Sequence, residues 1–92
     1  MSVKNVVPFL DRYLVYVEAS ITGTGSIDTG LSSIDGAVVS VKDSGSSLPT
    51  YTASITSISG GTVNVVVTEH SSAANAVSSS AKTVTVIAIG NV

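Results

Sequence analysis

From Thr62 to Glu69 the chain alternates apolar and polar residues. Val63, Val65 and Val67 fall on one side and Thr62, Asn64 and Thr68 on the other. Before it runs a second β-prone stretch, Tyr51–Ser59, joined to the first by Gly60-Gly61. Two such runs around two glycines predict a hairpin, since a two-residue loop needs positive φ at one or both central positions. In the first arm Ala53 and Ile55 share a face that Ile58 misses by parity, so a β-bulge near Thr56-Ser57 is expected to return Ile58 to the core. The same alternation recurs elsewhere. Arg12–Ile21 places Tyr13, Val15, Val17, Ala19 and Ile21 on one face and Arg12, Glu18 and Ser20 on the other, where Leu14 and Tyr16 interrupt the polar set. Gly36–Lys42 sets Ala37, Val39 and Val41 against Val38, Ser40 and Lys42. Lys82–Ile89 sets Val84, Val86 and Ala88 against Thr83, Thr85, Ile87 and Ile89. Strands apolar on both faces are buried on both, which in so small a protein points to a subunit interface through Leu14, Tyr16, Ile87 and Ile89.

The remaining segments are punctuation. Thr22–Gly25 reads as a turn, Ser26–Gly30 as a short strand, Leu31–Ile34 as a connecting turn and Asp43–Pro49 as a turn-rich loop. Ser71–Ala81, rich in serine and alanine, reads as an exposed connection with room for one helical turn. Residues 1–11 read as an arm. Val6, Val7, Phe9 and Leu10 are apolar there, while Pro8 removes a ladder donor and disfavours helix at Val7. The arm either folds back on its own core or docks on a neighbour. Five or six short strands with turn residues between them predict an all-β chain. The expected fold is a small antiparallel β-sandwich or jelly-roll-like barrel, a single β domain over 12–92 preceded by the arm.

Composition narrows the partners. A 92-residue chain buries only roughly 60–65% of its unfolded surface, and with no cysteine it has neither disulfide staples nor thiolate metal ligands. Small scaffolds of this kind gain stability by oligomerising. Only 11% of residues are charged, the net charge is −2, and the basic residues Lys4, Arg12, Lys42 and Lys82 are scattered, so nucleic-acid binding is not expected. The longest apolar run is far too short to span a membrane, and the N-terminus has no secretory h-region. Synthesis in a cytoplasm without export is the expectation.

Candidate chemistry is sparse. His70, the single histidine, lies between Glu69 and Ser71. Neighbours along a strand point to opposite sides, so these three form no nucleophilic relay, and His70 is expected at an exposed loop edge. Asp28, Asp35 and Asp43 each precede a glycine by one or two residues, the pattern of turns in which a carboxylate accepts backbone N–H groups. No cofactor and no metal are expected. Tyr51, beside Pro49, is the one plausible aromatic platform for a sugar. Asp28-Thr29-Gly30 resembles the active-site triplet of the retroviral aspartic proteases, which build one site from two chains. Gly60-Gly61 would then stand for their flap and Ile89-Gly90-Asn91 for their C-terminal hydrophobic-glycine segment. Ser26 and Leu31 depart from that family's pattern, and the sequence ends at Val92 without its final helix, so a dimeric protease is a remote alternative.

A second resemblance covers more of the chain. Asp28-Thr-Gly-Leu-Ser-Ser-Ile34 followed by Gly36-Ala-Val-Val-Ser-Val-Lys42, then Ser59-Gly-Gly-Thr-Val-Asn-Val65, then Val86-Ile-Ala-Ile-Gly90, resemble in their order small β domains of virion proteins in tailed bacteriophages. These are capsid decoration (cement) proteins and the knobs of head or tail fibres. Many members carry an aromatic residue where this chain has Val86. The resemblance implies a trimeric jelly roll or sandwich and a mechanical role on the virion surface with no enzymatic activity. The partners would be the major capsid protein and further copies of the chain, as a homotrimer. Val6, Val7, Phe9 and Leu10 would dock on the shell or the next protomer. A fibre or adhesin knob that binds a receptor or carbohydrate is the alternative.

Overall fold

The computed structural model describes residues 3–9, 11–42, 49–72 and 74–92. Among these residues eight antiparallel strands form two sheets. Sheet A has the order β1 (Val3–Phe9), β2 (Arg12–Thr22), β8 (Ala81–Asn91), β4 (Ser33–Val41). Sheet B has the order β3 (Thr24–Asp28), β6 (Thr62–His70), β5 (Thr50–Ser59), and a short β7 (Asn75–Val77) continues the β3 side of β6. The all-β sandwich expected from the sequence is what forms, and the described residues alone hold eight strands where five or six were expected.

The alternation sets the core. Val15 and Val17 of β2, Val84, Val86 and Ala88 of β8 and Val41 of β4 face inward from sheet A. Val63, Val65 and Val67 of β6 meet them from sheet B, all buried. Register explains why one cluster forms: Val17 and Val39 both sit opposite Val86, and Ala53 and Ile55 sit opposite Val67 and Val65. A slip of one residue would turn each of these rows outward.

Three expectations are settled or changed. Of the two alternatives for the arm, residues 3–9 take the fold-back one, as a strand pairing with β2 from Val3 opposite Glu18 to Phe9 opposite Arg12. Pro8 is tolerated because β1 is an edge strand, where a missing ladder donor costs least. The Ser71–Ala81 connection is not wholly exposed. It holds β7, and Ser78 is buried, its hydroxyl bonded to the backbone of Ser80 and its own N–H donated to the Val67 carbonyl. The bulge at Thr56 does return Ile58 to the side of Val63, yet Ile58 remains 42% exposed, because the bulge corrects its direction at an end of the sheet where the core gives out. Leu10 and residues 43–48, Asp43 among them, lie outside the described residues.

The hairpin turn has Gly60 at φ 58°. Its neighbour Gly61 is needed for a different reason: a Cβ there would overlap the carbonyl of Leu31. Gly90 stands in the same relation to Ser33 and Ile34. Both close contacts are with the 29–34 segment, which crosses from sheet B to sheet A over one end of the sandwich.

Candidate functional site

The outward face of sheet A does not look like a solvated face. Across β2, β8 and β4 the register stacks Leu14, Ile89 and Gly36 in one row and Tyr16, Ile87 and Val38 in the next. Val38 is 63% exposed and Ile87 44%. With Leu14, Ile89 and the missing side chain of Gly36 they surround an open depression of about 440 Å³. Outward apolar residues gathered in one place mark association surfaces more often than single exposed ones do.

Polar groups close both ends of this patch. At one end Arg12 Nε donates to Asp35 Oδ2 at 2.6 Å, and its NH1 lies 3.2 Å from Asp11. The bond to Asp35 raises the guanidinium pKa further above its already high value. At the other end the Tyr16 hydroxyl donates to Glu18 Oε2 at 2.7 Å and Lys42 Nζ lies 3.3 Å from Glu18 Oε1. Donation from Tyr16, seconded by Lys42, holds the Glu18 carboxyl below the usual carboxylate range, and the same bond pushes the Tyr16 phenol up. The Ser40 and Thr85 hydroxyls bond each other at 2.7 Å in the row of Glu18.

Leu14, Tyr16, Ile87 and Ile89 are therefore brought together on one face. The docking residues are not part of it as a group. Val6 sits opposite Val15, on the inward side at the rim of sheet A, and is 49% exposed. Val7 and Phe9 occupy the β1 positions opposite Leu14 and Arg12. Sequence reasoning placed Val38 on the outward side but did not include it in the interface, and it missed both polar ends. A pair such as Arg12 and Asp35, 23 residues apart, becomes visible only once β8 is known to lie between β2 and β4.

The other candidates take structural roles. Asp28 is exposed, and its carboxylate accepts the Gly30 N–H at 2.9 Å, as expected of an Asx turn. Thr29, fully buried, donates both its N–H and its hydroxyl to the Gly61 carbonyl at 2.9 and 2.6 Å, and its oxygen also accepts the Leu31 N–H. The triplet thus ties the crossover to the hairpin tip. His70 is at the loop edge as expected, but not fully exposed. It ends β6, half-buried, with Nε2 2.8 Å from the Thr52 hydroxyl. Tyr51 is half-buried against the core, and the Lys82 ammonium sits 4.1 Å from its ring centroid, on the π-face that a sugar would need. Among the described residues no group of three or more His, Asp or Glu side chains is placed to hold a metal ion.

Comparison with known proteins found no matching family, no matching curated protein and no matching solved structure.

Proposed function

We propose that this chain is a structural virion protein, a capsid decoration protein that binds the outer lattice of an assembled shell and stabilises it. The observation that carries the reading is the apolar, depressed outward face of sheet A, a surface built for lasting contact with protein. The order of the Asp28–Lys42, Ser59–Val65 and Val86–Gly90 segments, which resembles phage virion domains, supports the virion as the setting. In this reading the β1 edge of sheet A, with half-exposed Val6, turns to the shell. Binding to the assembled lattice and not to its dissociated subunits adds RT ln(1 + [L]/Kd) per occupied site, so the protein strengthens the shell by mass action alone.

The test is co-sedimentation with shells of the virus that encodes the chain. Removing residues 1–10 should abolish binding while far-ultraviolet circular dichroism still reports β structure. Val6→Lys, which leaves β1 in place, should weaken binding in the same direction. Undiminished binding by both variants would sink the docking role of β1.

A further inference from the structure

We infer that the outward face of sheet A is the contact between two copies of this chain, related by a twofold axis lying in the plane of the face. The evidence is the placement of charge around the apolar rows. Arg12 and Glu18 flank Leu14 and Tyr16 on β2's outward side; Asp35 of β4 accepts the Arg12 hydrogen bond, and Lys42, just past β4 and two residues beyond the Ser40 in Glu18's row, reaches back to Glu18. The four corners therefore read positive, negative, positive, negative around the patch. Lay a second copy face to face by a twofold along the strands and Arg12 falls over Asp35 while Glu18 falls over Lys42. Turn the axis across the strands and Arg12 falls over Glu18 while Asp35 falls over Lys42. Either operation sets unlike charges together at every corner. Any partner other than this chain would need the same alternating frame at the same spacing, which an identical copy has by construction.

Shape agrees with charge. Along-strand symmetry sets Leu14 over the gap at Gly36 and Val38 over Tyr16. Across-strand symmetry sets Val38 over Gly36. In both, a protruding side chain meets the position without one, and Ile87 and Ile89 close the centre. The symmetry is twofold, so the pairing differs from the threefold assembly expected from the sequence. Both readings use the apolar face of sheet A, which here is covered by the second copy while the β1 edge is left to the shell; mass in solution tests the pairing and shell binding tests the capsid role, so either can fail alone.

The experiment is multi-angle light scattering and sedimentation equilibrium on the purified full chain. Wild type should have twice the chain mass. Ile87→Glu should run as a monomer with unchanged circular dichroism, and Val38→Glu, at a more exposed position, should do the same if Ile87→Glu fails to fold. Arg12→Glu sets like charges together under either axis and should raise the dimer dissociation constant at least roughly tenfold. Reversing all four corners (R12E, D35R, E18K, K42E) restores unlike pairing and should recover the dimer. A monomeric wild type, an odd-numbered oligomer, or wild-type mass in both glutamate variants would overturn the inference, as would a full reversal that dimerises no better than Arg12→Glu.

Discussion

The two sheets present the same kind of inner face and opposite outer ones. Inside, both are rows of valine. Outside, sheet B is a polar lattice: the Ser26 hydroxyl donates to Asn64 Oδ1 at 2.6 Å, and Asn64 Nδ2 donates to the Ser57 hydroxyl at 3.0 Å, linking three strands in one line. Thr52 and His70 add a further link, and only Val66 and exposed Val77 break the polarity among the described residues. Sheet A instead carries Leu14, Val38, Ile87 and Ile89 in the matching place. Strand propensity does not separate the two, because valine, isoleucine and threonine all suit a pleated surface. What separates them is solvation. The polar side chains of sheet B, several of them bonded to one another, suit contact with water, whereas the apolar rows of sheet A gain by being covered.

Four comparisons test this contrast, from the largest effect down. Gly61→Ala in sheet B and Gly90→Ala in sheet A should each cost more than about 3 kcal/mol, because the added methyl meets backbone that cannot swing away. Urea unfolding measures both, and a mild loss at either would mean the crossover is less tightly seated than its contacts imply. Val65→Ala and Val86→Ala, one from each inner face, should cost a similar ~2 kcal/mol each from lost burial and an incompletely collapsed cavity. Clearly unequal losses would show that the sheets do not share one cooperative core. Asn64→Ala should cost about 1 kcal/mol by breaking the line of bonds across sheet B, whereas Ile87→Ser should leave the unfolding of the isolated chain nearly unchanged.

The smallest effect is on pH. The Glu18 carboxyl is held low by Tyr16 and Lys42, so its contribution is present above the ordinary carboxylate pKa and is lost as pH falls through the depressed one. The raised Tyr16 phenol contributes below its ordinary pKa, and that part is lost as pH rises through the raised one. Wild type should therefore exceed Tyr16→Phe in thermal midpoint around neutral pH, with the gap closing in acid and again in strong alkali. A gap that persists in acid would assign the effect of Tyr16 to packing instead of its bond to Glu18.

How far the sequence foretold this depends on the range of the interaction. Strands whose valines alternate cleanly, such as Thr62–Glu69, are legible because period two is a local property. The outward apolar face was legible for the same reason: Leu14 and Tyr16 broke the polar set of β2, and Ile87 and Ile89 broke that of β8. β1 was obscured by Pro8, which argues against a strand everywhere except at an edge, and edge position is not written locally. β7 was hidden because Asn75-Ala76-Val77 has little strand character of its own and is ordered by pairing with Thr68–His70. The burial of Thr29 was equally hidden, since its acceptor, the Gly61 carbonyl, lies 32 residues away. The charged corners needed the strand order itself.

That strand order has a consequence for synthesis. β8 lies between β2 and β4, yet it is the last of the eight strands to leave a ribosome. The strands of sheet B all precede it and can pair without it. β2 and β4 cannot, because the strand that joins them does not yet exist. For that interval the inner valines of sheet B have no lid, and Val15, Val17 and Val39 wait on strands that lack their shared neighbour. Maturation of the fold is thus gated by a single late insertion that forms two ladders at once, and an abrupt gain of protease resistance should accompany the emergence of residues 81–91.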